Sequence, residues 1–272
     1  MLENGINGLF KEALRNIINN IQLYLSPRVR KSAKKAAALL TANSVGKINF
    51  KKIYNIDTIN MLDIGAKNIK DDYKRIGKGR EGLKILWVGS FQYRKSLQIL
   101  IKALGYIPKS YEYELEIIGD GLLRKRWQEL ARKMGVSKNI HWRGWVPHQE
   151  VDNYYDWADV LVFTSLRDTC GSNITEALSR GLPIICMDKD GVSDVIDETC
   201  GVKIPVTNPG EVIKQLADSI TWIHDNREIL QKMSIGALAR AHEYSWEKHA
   251  KRLARIYERA IEEKSAGIIM NC

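Results

Sequence analysis

The stretch 165-SLRDTCGSNITEALSRGLPII-185 decides the fold. The run "ADVLVFTSL" enters it as a buried strand and "LPIICM" leaves it as another. The segment between them therefore reads as a strand-end loop followed by a helix. Two acids, Asp168 and Glu176, flank Gly171 in that segment. A helix beginning near Ser172 or Asn173 points free N–H groups back at the strand end, and such a terminus favours an anion by about 0.3–1 kcal/mol. Gly171 lets backbone approach closely. Carboxylates repel an anion but accept hydrogen bonds from hydroxyls. A ligand carrying both a diphosphate and sugar hydroxyls suits all of these groups, and a nucleotide-sugar is such a ligand. Bland alternatives stand beside this reading: Asn173 and Glu176 have capping-box spacing, and Asp168 can be an ordinary turn residue.

Outward from this stretch the pattern is regular from residue 83. Strands "LKILWVGSF", "YELEIIGDG", "NIHWRGWV", "LPIICMD" and "CGVKIPV" alternate with helical stretches "SLQILIKAL", "LLRKRWQELARKMG" and "PHQEVDNYYDWA". Such alternation builds a doubly wound parallel α/β sheet, which binds ligands beyond the carboxyl ends of its strands. The glycine turns "VGSF", "IGDG" and "RGWV" all fall at those ends. Lys95, with Arg94 before it, offers positive charge from the neighbouring loop; the alternative for Lys95 is a solvated helix position. Trp142 and Trp145 sit on one strand, where core packing is the ordinary reading.

Composition bounds the rest. The 272 residues include 44% hydrophobic and 27% charged side chains, as a globular chain requires. Cys170, Cys186, Cys200 and Cys272 form no C-x-x-C pair, which suits a reducing cytoplasm and no zinc site. The five histidines have no metal spacing, and His224, His242 and His249 read as surface positions on polar helices. The net charge of +10 sits wholly in residues 1–84, with 17 Lys/Arg against 7 Asp/Glu. There "GLFKEALRNIINNIQLYL" (8–25) is an amphipathic helix and "PRVRKSAKKAAALL" a second, basic one. The first can pack in a core or lie on an anionic membrane surface; nothing resembles a nucleic-acid-reading motif. A short strand–helix–strand follows, then "GAKNIKDDYKRIGKGREG", which reads as a linker. The expected organisation is a partial N-terminal segment over 1–80, a nucleotide-sugar-binding domain over 81–244, and a C-terminal helix and tail over 245–272.

Asp168-x7-Glu176 followed by "ALSRGLPII" resembles the E-x7-E segment of retaining GT-B glycosyltransferases of family 4, the group 1 type. Gly171, Glu176, Ala177, Gly181 and Pro183 fall in register with that pattern. "VGSFQYRK" resembles the family's G-R-x4-K loop, "IIGDG" its next glycine turn, and "SWEKHAKRLARIYERAI" its closing helix. The resemblance covers residues 80–262 and implies a Rossmann-like C-terminal GT-B domain. It implies that Glu176 holds the donor ribose, Asp168 faces the transferred sugar, and Lys95 binds the diphosphate with help from Arg94. Backbone amides of Gly171, Ser172, Asn173 and Ile174 would assist. Gly119, Asp120 and Gly121 would border the nucleotide, with Gly89 and Ser90 beside the diphosphate and Trp145 and Val146 at the base. No metal or other cofactor is implied; the donor would be UDP- or GDP-linked. Two residues depart from the pattern, Asp168 for glutamate and Ser90 for arginine. Residues 1–80 resemble only the last part of the family's acceptor domain. The expectation is therefore a cytoplasmic retaining glycosyltransferase, peripheral at the inner membrane face if the basic helix docks there, and truncated. The alternative is a donor domain inactive without a separate N-terminal chain or a second copy.

Overall fold

A computed structural model describes residues 14, 17, 18, 21, 26–70 and 82–266. Contacts group the chain into two compact units, residues 1–62 with 249–272, and residues 63–248.

In the smaller unit, α1 (Pro27–Lys35) starts with proline at its first turn and with the Ser26 hydroxyl accepting from the Val29 amide. Its five cations, Arg28, Arg30, Lys31, Lys34 and Lys35, are all exposed, and Ala33 is its buried residue. β1 (Leu40–Thr41) pairs in parallel with β2 (Ile59–Asn60) across α2 (Ser44–Tyr54). The expected strand–helix–strand is therefore present, with strands of two residues. The amphipathic helix expected over 8–25 lies mostly outside the described residues; Leu14, Ile17, Ile18 and Ile21 are helical and exposed. Among the described residues no helix is long and apolar enough to cross a membrane.

The larger unit is the α/β sheet. β3 (Leu83–Val88) is followed by α3 (Leu97–Leu104), β4 (Tyr113–Ile118), α4 (Arg124–Lys133), β5 (Ile140–Gly144) and α5 (His148–Trp157). Then come β6 (Val160–Phe163), α6 (Ser172–Ser179), β7 (Ile184–Asp188), α7 (Asp190–Val195), β8 (Gly201–Pro205), α8 (Pro209–Asp225), α9 (Glu228–Glu243) and α10 (Trp246–Ser265), the last running on into the smaller unit. The six strands β3 to β8 are all parallel, in the order β5-β4-β3-β6-β7-β8. All four residues of β6 are buried, as a strand covered by helices on both faces demands. From β3 the chain steps outward to β4 and β5, then returns to β6 on the other side of β3. That reversal is the switch point at which open sheets of this kind bind ligands.

Large aromatic side chains fix the β3 side. Trp87, Phe91 and Trp127 form a buried cluster, with ring centroids 5.0–6.0 Å apart, and half-buried Trp142 packs edge-on to Phe91 at 5.8 Å. Core packing thus holds for Trp142 but not for Trp145, which is 78% exposed beyond the end of β5.

Two further expectations change, and a third lies outside the described residues. The first part of the expected linker is docked: the Ala66 amide donates to the Tyr244 carbonyl, and Lys70 pairs with Asp156 at 2.7 Å. The expected boundary near residue 80 falls among residues 71–81, outside the described residues. His249 is buried, where a surface position was expected. Tail helices carry polar residues on one face only, and composition alone does not say which face His249 occupies.

Burial, with Arg252 adding like charge, holds the His249 pKa below its ordinary 6.5. The folded state therefore favours the neutral ring. Its contribution to stability is present above pH 6.5 and is lost as pH falls through the lower folded value. Urea unfolding from pH 7 down to 5 should show falling stability, with a shallower slope in His249→Gln; equal slopes would remove His249 as the source.

Candidate functional site

The site is assembled where β3 and β6 end. After β3, Gly89 and Ser90 lead into a 3-10 turn, Tyr93–Lys95. That turn is sewn to the β6 loop by backbone and side-chain bonds. The Trp87 indole N–H donates to the Thr164 hydroxyl at 3.0 Å, and that hydroxyl donates to the Lys95 carbonyl at 2.7 Å. The Leu166 amide donates to the Arg94 carbonyl at 2.8 Å. Fully buried Thr164 thus ties the core tryptophan to the turn that carries the cations.

Arg94 and Lys95 converge on Asp168. The Lys95 ammonium lies 2.5 Å and an Arg94 guanidinium nitrogen 3.1 Å from the same oxygen, Asp168 Oδ2. The Ser165 hydroxyl is 3.4 Å from that oxygen. Lys95 is buried, with its ammonium 5.1 Å from the centroid of the Phe163 ring. The Asp168 amide donates to Asp190 Oδ2 at 3.3 Å. Asp190 has φ +57°, a left-handed conformation that aspartate adopts more readily than most residues other than glycine.

The helix after the loop begins two residues earlier than an Asn173–Glu176 capping box requires. Gly171 is the N-cap of α6, so Asn173 is its second residue. The Asn173 side chain donates to the Val88 carbonyl at 2.9 Å, tying α6 to the end of β3. Glu176 does not close a capping box; it accepts from the Tyr155 hydroxyl at 2.9 Å. The Ile174 amide already donates to the Gly171 carbonyl at 2.9 Å. The amides of Gly171, Ser172 and Asn173 precede it at the helix start. A Cβ on Gly171 would stand 2.3 Å from Asn173 Oδ1, so a larger residue there would have to displace the Asn173 side chain.

The neighbouring strand ends crowd together. The Gly119 amide donates to the Gly144 carbonyl at 2.7 Å, and the Gly89 amide to the Ile118 carbonyl at 3.0 Å. Gly119 has φ +123°, and a Cβ there would lie 2.0 Å from the Gly89 carbonyl oxygen. Asp120 accepts from the Gly121 amide and from Arg124, each at 2.7 Å, and the first of these chiefly holds its pKa below the ordinary carboxylate value. Exposed Trp145 and half-buried Val146 follow Gly144. Ser90 is exposed.

Sequence reasoning missed Tyr155, Ser165 and Asp190. Tyr155 had a signal: it shares the inward face of α5 with Val151, and a tyrosine buried there needs a partner for its hydroxyl. Burial first, then the Glu176 charge, pushes its pKa well above 10, so its hydroxyl remains a donor. Two cavities lie away from the site. One of about 600 Å³ opens between β8, α8 and α9, and one of about 460 Å³ lies at the amino ends of β3, β4 and β5. Neither borders the carboxyl ends of β3 and β6. Among the described residues no three His, Cys, Asp or Glu side chains gather as a metal site would need.

The parallel sheet, with cations, a helix start and two held carboxylates at its switch point, defines an open doubly wound α/β domain. Residues 68–240 match the family of group 1 glycosyl transferases, and the chain belongs to that family. It is 29% identical over 203 residues to an uncharacterised glycosyltransferase of Methanocaldococcus jannaschii, covering 71% of this chain and 49% of that protein. It is 30% identical over 192 residues to the alpha-monoglucosyldiacylglycerol synthase of Acholeplasma laidlawii, covering 70% and 47%. The pneumococcal O-GlcNAc transferase GtfA, solved with UDP and GlcNAc, shares the fold with a TM-score of 0.69 at 16% identity, covering 86% of this chain and 47% of that one. The chain spans about half the length of the curated relatives it matches.

Two consequences can be measured. Gly119→Ala should destabilise the protein by about 3 kcal/mol, the upper part of the range for forced backbone shifts; an unchanged urea midpoint would contradict the close approach to Gly89. Tyr155→Phe should cost about 1–2 kcal/mol, the scale of a hydrogen bond to a partly exposed carboxylate. In Glu176→Gln, where the charge is already gone, the same change should cost less; equal losses in both backgrounds would mean that the hydroxyl does not act through Glu176.

Proposed function

We propose that this chain binds a nucleotide-sugar, UDP- or GDP-linked, beyond the carboxyl ends of β3 and β6, and takes part in sugar transfer with retention of configuration. The observation that carries this reading is the meeting of Arg94, Lys95 and Asp168 beside the N-terminus of α6. Membership in the group 1 family and the solved fold relative holding UDP support it. The reading makes Lys95 and Arg94 the partners of the diphosphate, with the amides of Gly171, Ser172 and Asn173. Glu176, steadied by Tyr155, takes the ribose hydroxyls; Asp168 takes the transferred sugar. Gly89, Ser90, Gly119, Asp120 and Gly121 border the nucleotide, and Trp145 and Val146 the base.

As the glycosidic bond to the diphosphate breaks, negative charge grows on the leaving oxygen. Cations already fixed there stabilise that charge without reorganising, which is the most effective form of electrostatic catalysis. A buried ammonium paired with Asp168, on a residue whose backbone carbonyl is held by the Thr164 hydroxyl, fits that task. Within this reading the diphosphate is neutralised by side chains and amides, and no metal is needed.

Calorimetry with a panel of UDP- and GDP-sugars tests it. Lys95→Ala should weaken binding by about 1.5–3 kcal/mol, the range for hydrogen bonds to charged groups, and EDTA should change nothing. Glu176→Gln should lose affinity for a nucleoside diphosphate. Unaltered affinity in Lys95→Ala, or loss of binding on chelation, would overturn the assignment. Because the relatives are about twice as long, binding is measured alongside transfer, and the anomeric configuration of any product is read by NMR.

A further inference from the structure

Asp168 is placed to do more than touch a sugar. We propose that it is an internal counter-anion that makes the site prefer diphosphates carrying a sugar over bare diphosphates; this rests on the nucleotide-sugar reading above. One carboxylate oxygen takes both cations, at 2.5 and 3.1 Å, and the Ser165 hydroxyl at 3.4 Å. The side chains are well shielded, with Lys95 11%, Asp168 16% and Arg94 29% exposed, so their mutual attraction is screened less than at a surface.

The carboxylate is also held from behind. Its own amide is bonded to Asp190, Ser165 bonds the Arg94 and Arg167 carbonyls, and the Leu166 amide bonds the Arg94 carbonyl. Asp168 and the two cations therefore belong to one stitched unit, and the acid cannot leave without breaking these ties. Any diphosphate that comes to Lys95 and Arg94 must share them with a fixed negative charge. A bare diphosphate has a terminal phosphate that carries extra charge and offers nothing to the carboxylate. A diphosphate esterified to a sugar carries less charge and brings hydroxyls that donate to it. The same acid thus repels one ligand and holds the other. After transfer the leftover nucleoside diphosphate meets the repulsion that the donor escaped, which favours its release.

The test is calorimetry on the full chain with inorganic pyrophosphate, UDP, GDP and their sugar esters. In Asp168→Asn, pyrophosphate affinity should rise about tenfold, the scale for removing one like charge within contact distance, while affinity for the sugar ester falls. Adding Arg94→Gln to Asp168→Asn should return pyrophosphate affinity toward the starting value. Unchanged, weaker or undetectable pyrophosphate binding by Asp168→Asn overturns the proposal, even if the parent protein binds nucleotide-sugars well. Tighter pyrophosphate binding with no preference for nucleotides in either protein supports the counter-anion and retires the nucleotide-sugar reading instead. Thermal midpoints with and without pyrophosphate give the same comparison if the variant is less stable.

Discussion

Everything at the strand ends depends on the short relay from the Trp87 indole through the Thr164 hydroxyl to the Lys95 carbonyl. Trp87 belongs to β3, Thr164 follows β6, and these are the two strands on either side of the switch point. The loops leaving them would otherwise part, each following its own helix. A hydroxyl with no solvent exposure, donating to one side and accepting from the other, holds them in register. Such a buried group costs free energy unless both of its bonds are made, so the loop geometry and the core aromatic cluster are specified together.

That tie explains how two cations and a carboxylate can share a nearly dry corner. A buried charge costs free energy unless it is paired. Here Asp168 supplies the opposite charge, and the Phe163 ring lies within cation–π range of the ammonium. An internal ion pair of this kind is weak evidence for stability, since desolvation offsets much of the attraction. Its retention is better understood through what it does to an entering anion: positive charge is present and fixed in place, yet already partly compensated.

The sheet was legible in the sequence because strands buried on both faces are continuous apolar runs, and β3, β4 and β5 end at glycine turns. "DVLVFTSL" and "LPIICMD" could be read without coordinates for that reason. The placing of the loops that carry Arg94, Lys95 and Asp168 at one end of the sheet follows from parallel strands, which put all such loops on one side; the pairing of the three side chains does not. What could not be read was who holds whom. Whether Asn173 or Gly171 caps α6 is a shift of two residues in where the helix starts, and that start decides whether Glu176 turns back to the helix start or toward Tyr155. The tie between Asn173 and the Val88 carbonyl, 85 residues away, leaves no local mark. His249 shows the same limit: a polar residue on a mixed helix is inward or outward according to a packing partner, not its neighbours in sequence.

The two acids of the opening stretch end in opposite company, and that difference separates their chemistry. Glu176 is held by a neutral donor, a buried tyrosine whose raised pKa keeps its proton on. One carboxylate oxygen is thereby oriented without being neutralised, and the group retains capacity to accept from hydroxyls. Asp168 is held by two cations, so its charge is compensated before any ligand arrives. A hydroxyl approaching Glu176 adds a bond and displaces nothing. An anion approaching Lys95 must redistribute bonds that Asp168 already has. Eight residues of sequence therefore separate a simple acceptor from a competitor, and the shorter side chain of aspartate suits the second role because it keeps the carboxylate against the cations that its own loop carries.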